Sequence, residues 1–182
     1  TTRYHLTPVR TATLLKRENN INIAVDMTAG NGNDSLFILD ELHPKMLFAF
    51  DIQKEAKENT EILIGNRDNF KFILDNHANI DKYIKDKIDL VIYNLGYLPR
   101  GDKNITTMAD STIESLEKAL NLLDKNGKVI ITVYPGHKEG YSESLRLKNY
   151  LESLNQKDFV VLEMSYKNQK NKPPYLYMVG KK

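Results

Sequence analysis

Two glycines separated by a single residue follow a short apolar segment near the start of the chain. Apolar residues at 21, 23 and 25 predict a buried strand, and Gly30 and Gly32 come directly after it. Glycine lets the backbone turn tightly and approach a ligand that a side chain would exclude. The helix predicted next can present its amino end to a carboxylate or phosphate. This spacing predicts a small-molecule cradle, although Ser35 stands where the dinucleotide fingerprint has its third glycine.

Carboxylates follow the predicted strands on either side of this cradle. Asp26 ends the first strand, and Asp51 ends a second strand roughly 20 residues beyond the glycines, where a carboxylate accepts both hydroxyls of a ribose. Asp75, Asn76 and His77 follow a third strand, at the place where an adenine edge would be read. The alternative is that each strand-end Asp only caps the helix that follows it.

Strand and helix patterns alternate along most of the chain, which predicts a parallel sheet with helices on both faces. The last two strands have no helical pattern between them and should pair as an antiparallel hairpin. The predicted strands cover 21–26, 46–51, 70–74, 88–93, 128–134, 158–166 and 175–180. The predicted helices cover 8–18, 34–42, 53–64, 79–85, 108–123 and 141–154, with a loop at 94–107.

Composition limits the chemistry and the environment. A length of 182 residues suits one α/β domain spanning 1–182. The absence of cysteine excludes disulfides and thiolate chemistry, and the four histidines lack metal-ligand spacing, so no metal is expected. No apolar run reaches membrane-spanning length, and we expect a cytoplasmic protein. The net charge of +2 does not by itself indicate nucleic-acid binding.

Five strand-helix steps followed by a hairpin resemble the plan of the class I S-adenosylmethionine-dependent methyltransferases over nearly the whole chain. The resemblance implies a Rossmann-like, seven-stranded, mostly parallel sheet with a C-terminal antiparallel hairpin. It also implies S-adenosylmethionine as cofactor, S-adenosylhomocysteine as product and no metal. The residues it places at the cofactor are Asp26, Thr28, Gly30, Asn31, Gly32, Asn33, Asp34, Asp51, Ile52, Gln53, Asp75, Asn76, His77 and Asn94.

The segment Asn94-Leu-Gly-Tyr-Leu-Pro99 follows the fourth predicted strand. It is similar to the Asn-Pro-Pro-Tyr box of amino-methyltransferases, but it lacks both inner prolines. In that box the Asn oxygen accepts hydrogens from the target nitrogen, and the aromatic ring stacks on the base. The resemblance therefore implies a catalytic role for Asn94 and close methyl approach at Gly96. The alternative is an ordinary turn after a strand.

Six segments together resemble one bacterial family, long labelled as rRNA methylases and understood as tRNA wobble-uridine methyltransferases. They are Asp26-Met-Thr-Ala-Gly-Asn-Gly-Asn-Asp34, Phe50-Asp-Ile-Gln53, Asp75-Asn-His77, Asn94-Leu-Gly-Tyr-Leu-Pro-Arg-Gly-Asp-Lys103, Tyr134-Pro-Gly-His-Lys-Glu-Gly140 and Asn171-Lys-Pro-Pro-Tyr175. The resemblance implies methylation of the exocyclic amine of 5-aminomethyl-2-thiouridine at tRNA position 34. The implied partner is the tRNA anticodon stem-loop.

His137 is the second candidate catalytic residue, because its turn follows the fifth strand and histidine can take a proton near neutral pH. The alternatives are a plain strand-to-helix turn or contact with an RNA phosphate. Basic and aromatic residues in the loops at the same sheet edge could hold an unpaired anticodon base. The candidate substrate residues are Gly96, Tyr97, Arg100, Lys103, Tyr134, Lys172 and Tyr175.

Three other functions remain open at this stage. The first is methylation of ribosomal RNA or a small amine, which would leave the cofactor residues unchanged. The second is a nonenzymatic module that binds an adenosine ligand or RNA. A nicotinamide oxidoreductase is disfavoured by the missing third glycine and the terminal hairpin. The sequence leaves the oligomeric state open, with a homodimer among the alternatives.

Overall fold

Seven strands form one sheet in the part of the chain that the structure describes. The computed structural model describes residues 20–95, 105–135 and 138–182, with backbone only at 105–109 and 138–140. The strands are β1 (Ile23–Asp26), β2 (Met46–Asp51), β3 (Phe70–Leu74), β4 (Ile88–Leu95), β5 (Leu123–Val133), β6 (Phe159–Met164) and β7 (Tyr175–Lys181). Their order across the sheet is β3-β2-β1-β4-β5-β7-β6.

Helices connect the strands of the parallel part. They are α1 (Asn33–Phe37), α2 (Lys54–Ile64), α3 (Ile80–Tyr83), α4 (Ile105–Leu122) and α5 (Lys138–Glu152). A π-helical turn, Ile38–Leu42, continues α1, and a 3₁₀ turn, His77–Asn79, precedes α3. No helix among the described residues has the length and apolar character needed to cross a membrane.

The pairing directions confirm the predicted fold class. Strands β1, β2, β3, β4 and β5 pair in parallel, whereas β7 runs antiparallel to both β5 and β6. Parallel strands place their carboxyl ends at one edge of the sheet, where ligands of open α/β sheets bind. Tyr175 at the start of β7 pairs with Val133 at the end of β5, so the hairpin loop also lies at this edge.

Side chains alternate between two apolar cores because successive residues of a strand point to opposite faces. In β4, Leu90 and Ile92 join the core under the π-helical turn and α2, and Val91 and Tyr93 join the core under α3, α4 and α5. All four are at most 1% exposed. Burial on both faces fixes the register of β4 and therefore the position of the residues at its carboxyl end.

The observed bounds differ from the predicted ones mainly at strand ends. Strands β2 and β3 have the predicted bounds, whereas β4 continues to Leu95, two residues beyond the prediction. Strand β5 begins at Leu123 instead of 128 because Leu123 pairs with Ile88 ahead of an irregularity in the pairing, after which Lys128 pairs with Leu90. The predicted helix at 8–18 lies outside the described residues.

Candidate functional site

The loop between β1 and α1 is organised by a buried carboxylate. Asp26 is 1% exposed; its Oδ1 accepts from the backbone N–H of Thr28 at 3.0 Å, and its Oδ2 accepts from the Ser35 hydroxyl at 2.7 Å. Burial raises the pKa of Asp26 to about 7, although the Ser35 hydrogen bond acts in the opposite direction. Asp26 therefore stabilises the conformation of the loop through its buried carboxylate. A direct contact between Asp26 and the cofactor stays a prediction.

The two glycines of the loop serve different purposes. Both have a positive φ, 51° at Gly30 and 82° at Gly32, which favours glycine. A Cβ at Gly32 would lie 2.8 Å from Cγ2 of Thr60, so this glycine lets the loop pack against α2. A Cβ at Gly30 would approach only the carbonyl oxygen of Thr28, at 4.0 Å. Gly30 is therefore the position at which the backbone leaves space for a ligand.

Thr60 is a residue that the sequence analysis missed. It is fully buried on α2, and its hydroxyl donates to the carbonyl oxygen of Gly30 at 3.0 Å. A polar residue on the buried face of a predicted helix is the signal that could have identified it, because buried hydroxyls require a partner. Thr60 therefore connects the loop at residues 27–32, called the glycine loop below, to the helix that follows β2.

Asp51 joins the ends of β1 and β2. Its Oδ2 accepts from the backbone N–H of Gly30 at 3.0 Å, and its Oδ1 accepts from that of Gln53 at 2.9 Å. A carboxylate has about four acceptor positions, so each oxygen retains capacity for one more donor. The side chain is only half-buried. The structure thus brings Asp51 to the glycine loop with capacity for two hydroxyl donors.

The carboxylate after β3 is occupied by local contacts. Asp75 accepts from the backbone N–H of Asn76, from the amide of Asn79 and from the hydroxyl of Tyr83. The Asn76 side chain in turn accepts from the backbone N–H of Ala78. Asn76 thus supplies the helix cap, and Asp75 bonds to side chains of the turns that follow. Contact between these residues and an adenine base stays a prediction.

His77 lies next to the loop through its ring. Nδ1 is 2.9 Å from the carbonyl oxygen of Met27. The ring packs edge-on against that of Tyr93, with 5.8 Å between the ring centroids. Burial lowers the pKa of His77 below its usual value, so the ring is neutral near pH 7. In the neutral form Nδ1–H donates to Met27, and Nε2 remains a buried acceptor without a partner in the described part of the chain.

Asn94 is held by two residues of the glycine-loop region. Its backbone N–H donates to Oγ1 of Thr28 at 2.7 Å, and its Nδ2 donates to Oδ2 of Asp34 at 3.1 Å. Its Oδ1 is buried and has no hydrogen-bond partner within the described ranges. Burial raises the pKa of Asp34, and the hydrogen bond from Asn94 opposes that rise. The glycine loop and the residue expected to hold the target are therefore in direct contact.

Three of the predicted substrate residues lie near this cluster at the sheet edge. Tyr134 is half-buried, and burial together with the nearby Asp34 carboxylate raises the pKa of its hydroxyl, while an Asn94 hydrogen bond lowers it. Tyr175 begins β7, and its ring packs edge-on against that of Tyr177, with 5.5 Å between the ring centroids. Lys172 is exposed in the hairpin loop with a φ of 47°. The structure brings all three to the edge that carries Asn94.

The other predicted site residues fall into two groups. Those at the same sheet edge with exposed side chains are Asn31, Asn33, Ile52 and Gln53. Those outside the described residues are Gly96, Tyr97, Arg100, Lys103 and His137. Within the described ranges no group of three or more metal-ligating side chains is present.

Comparison with known proteins shows the family of this chain. The chain is 35% identical to a crystal structure named putative rRNA-methylase from Clostridium thermocellum, with a TM-score of 0.85 over 95% of this chain and 96% of that one. It is 32% identical to a putative methyltransferase from Streptococcus mutans in complex with SAH, with a TM-score of 0.81 over 97% and 98% of the two chains. Both likenesses extend over nearly the whole fold.

A third relative is a chloroplastic protein from Arabidopsis thaliana, named tRNA (mnm(5)s(2)U34)-methyltransferase. It is 30% identical over 168 residues, which are 85% of this chain and 61% of the relative. The chain thus spans less than two thirds of this relative's length. The family described as "Putative rRNA methylase" matches residues 47–180, a range that begins within β2, ends within β7 and includes Asn94. The chain therefore belongs to that family and has the class I methyltransferase fold.

Proposed function

We propose that this chain is an S-adenosylmethionine-dependent RNA methyltransferase whose target is the exocyclic amine of 5-aminomethyl-2-thiouridine at tRNA position 34. The observation that carries the proposal is the arrangement at Asn94. A buried amide oxygen with no partner among the described residues lies at the carboxyl end of β4, on a residue that contacts the glycine loop directly. A site for a hydrogen-bond donor thus adjoins a site for the cofactor.

The residues around the glycine loop fit S-adenosylmethionine. Asp51 retains acceptor capacity for a ribose diol, and the space at Gly30 lets a ligand approach the backbone. The bound cofactor supplies an electrophilic methyl group. The relative from Streptococcus mutans, 32% identical to this chain, is a complex with SAH, which supports the same ligand class here.

The amine must be neutral to act as a nucleophile. An alkylammonium has a pKa near 10.4, so about one molecule in a thousand is neutral at pH 7. Restoring the neutral form corresponds to about 4 kcal/mol. Partial burial favours the neutral amine, and Oδ1 of Asn94 can accept one of its hydrogens. The chain's main contribution is then alignment of the amine, which can be worth about 7 to 11 kcal/mol in favourable cases.

The choice of tRNA rests on the Arabidopsis relative and on the hairpin loop. That relative is named for the wobble uridine that we propose as the target. The loop between β6 and β7 presents Lys167, Lys170 and Lys172 at the same edge as Asn94, where they can contact RNA phosphates. Tyr134 and Tyr175 can supply stacking surfaces for an unpaired base.

The direct test is methyl transfer from labelled S-adenosylmethionine to defined RNAs. We expect transfer to tRNA that carries aminomethyl-thiouridine at position 34, and none to an unmodified transcript. Unmodified uridine has no exocyclic amine, so its methylation would contradict the amine mechanism. Ribosomal RNA belongs in the same assay because the family description names it. Transfer to ribosomal RNA alone would establish that competing function.

The role of Asn94 can be separated from cofactor binding. Asn94→Ala removes the acceptor for the target amine and should lower kcat by about two orders of magnitude. The dissociation constant of S-adenosylmethionine, measured by calorimetry, should change by less than about threefold. Equal losses in both quantities would place Asn94 at the cofactor alone. Asn22→Ala, at the opposite edge of the sheet, is the matched control.

A further inference from the structure

The hydrogen bond between Asp34 and Asn94 determines which end of the Asn94 amide remains available. An ionised carboxylate only accepts hydrogen bonds, whereas an amide donates through nitrogen and accepts through oxygen. Asp34 can therefore bond only to Nδ2, and this pairing, at 3.1 Å, turns Oδ1 away from the carboxylate. Thr28 meanwhile holds the Asn94 backbone at 2.7 Å. Both the position and the orientation of the amide are thus set by the glycine-loop region.

The surroundings of this pair support the same orientation. Oδ1 of Asn94 is buried without a partner in the described part of the chain, which is costly unless a donor completes it. Two described titratable groups interact electrostatically with Asp34, and they are Tyr134 and Asp26. Neither has a described hydrogen bond to Asp34, and Tyr134 instead hydrogen-bonds to the Asn94 side chain. The amide of Asn94 is therefore the described side-chain partner of the Asp34 carboxylate.

We propose that Asp34 is a positioning residue that sets the orientation of the Asn94 amide, so that the site accepts an N–H donor and selects amines as targets. This inference rests on the proposed function. With the amide held in this way, a ring nitrogen or carbonyl oxygen without a hydrogen would meet the lone pairs of Oδ1 and be repelled. A neutral primary amine can donate one N–H to Oδ1 and still present its lone pair.

Replacing the carboxylate at position 34 with an amide tests whether Asp34 sets the orientation of the Asn94 side chain. Asp34→Asn leaves an amide at position 34 that can donate or accept, so Asn94 is no longer held in one orientation. We expect kcat to fall by about tenfold or more, and the dissociation constant of S-adenosylmethionine to stay within about threefold. A tenfold loss of cofactor affinity with unchanged kcat would assign Asp34 to the cofactor and overturn the inference.

The double variant provides the rescue. Asn94→Asp alone places two carboxylates together and should also reduce kcat. In Asp34→Asn/Asn94→Asp the amide at position 34 donates to one oxygen of the carboxylate at position 94, and the second oxygen remains an acceptor. We expect its kcat to exceed that of both single variants by about tenfold. A double variant no faster than the slower single variant would overturn the inference.

A measurement on the free protein separates this inference from the proposed function. The side-chain amide of Asn94 can be identified in a nitrogen-15 NMR spectrum by its loss in Asn94→Asp. We expect its hydrogens to exchange with water about tenfold more slowly in the wild type than in Asp34→Ala, because the carboxylate protects one of them. Unchanged exchange in Asp34→Ala overturns the inference. Absence of methyl transfer by the wild type would instead reject the proposed function.

Discussion

At the scale of single residues, three carboxylates that look equivalent in the sequence have different environments. Asp26, Asp51 and Asp75 each end or follow a strand at the carboxyl edge of the sheet. Asp26 is buried inside the loop, and Asp75 is bonded to its own helical turn. Asp51 contacts the loop and remains half-exposed. We therefore expect removal of the carboxylate charge to have a different consequence at each of the three positions.

Asp51→Ala should weaken cofactor binding. Loss of two charge-assisted hydrogen bonds, each worth about 1.5 to 3 kcal/mol, predicts at least about tenfold weaker binding of S-adenosylmethionine and S-adenosylhomocysteine in calorimetry. The melting temperature of the free protein should show whether the loop survives the loss of the Gly30 contact. Asp68→Ala, at an exposed position before β3, is the control and should bind normally. An affinity equal to wild type would reject the role of Asp51.

Asp26 predicts a dependence of stability on pH. Its pKa is raised from 3.8 to about 7, so the folded state holds the proton more tightly than the unfolded state. The resulting stabilisation is present below pH 3.8 and is lost as the pH rises through about 7.

Asp26→Asn removes this titration. Between these pH values the free energy of unfolding of the wild type should fall relative to that of the variant by up to about 1.4 kcal/mol per pH unit. Denaturant unfolding at several pH values measures the difference, and titrating groups that do not interact with Asp26 cancel in the comparison. Parallel pH profiles for the two proteins would show that Asp26 is ionised throughout this range.

At the scale of elements, the glycine loop depends on α2 as much as on β1. Thr60 on α2 bonds to the carbonyl of Gly30 and leaves no space for a side chain at Gly32. Asp51 and Thr60 together connect the loop to the strand and the helix of the next unit. The shape of the cradle is therefore a property of two consecutive strand-helix units.

Alanine substitutions at the two glycines should separate folding from binding. Both introduce a side chain at positive φ, which costs about 1 to 2 kcal/mol. Gly32→Ala adds a collision at 2.8 Å with Thr60, and we expect an additional loss of about 1 to 3 kcal/mol in denaturant unfolding.

Gly30→Ala has no such collision in the free protein, because its nearest neighbour lies at 4.0 Å. Its stability should therefore exceed that of Gly32→Ala, while its affinity for S-adenosylmethionine should fall by steric exclusion. Equal unfolding free energies for the two variants would show that α2 can move away from the loop.

At the scale of the whole molecule, the parallel strands and the hairpin place at one edge the residues that we propose for cofactor, target and RNA contacts. Asn94 is the penultimate residue of β4, Tyr134 follows β5, and the lysines of the hairpin loop lie beyond β6. The net charge of only +2 means that RNA attraction must come from this local arrangement. Substitutions at the opposite edge of the sheet, where β5 begins, therefore serve as controls for substitutions at this edge.

Lys172→Glu should weaken the use of tRNA without affecting the cofactor. We expect the KM for modified tRNA to rise by about threefold to tenfold at low salt, with less effect at high salt, because phosphate contacts are screened. Lys125→Glu makes the same charge change at the opposite edge and should have a smaller effect. If both variants raise KM equally, the RNA does not approach the edge that carries Asn94.

The sequence by itself determined the layout of the molecule. Alternating strand and helix patterns predicted the sheet and its terminal hairpin, and β2 and β3 were predicted with the observed bounds. Period-two burial and the glycine spacing are local properties, so a single sequence is enough to recognise them. For the same reason the strand ends, and with them most of the candidate residues at the sheet edge, could be identified in advance.

Only the tertiary structure decided what each of those residues contacts. The hydrogen bonds from Asn94 to Thr28 and Asp34 join residues 66 and 60 positions apart, and Thr60 reaches Gly30 across 30 positions. Whether a carboxylate is buried, capped or available depends on such distant partners, because packing determines which acceptor positions are already occupied. Sequence spacing places side chains at the same edge, and the packed sheet and helices determine which of them can bind a ligand.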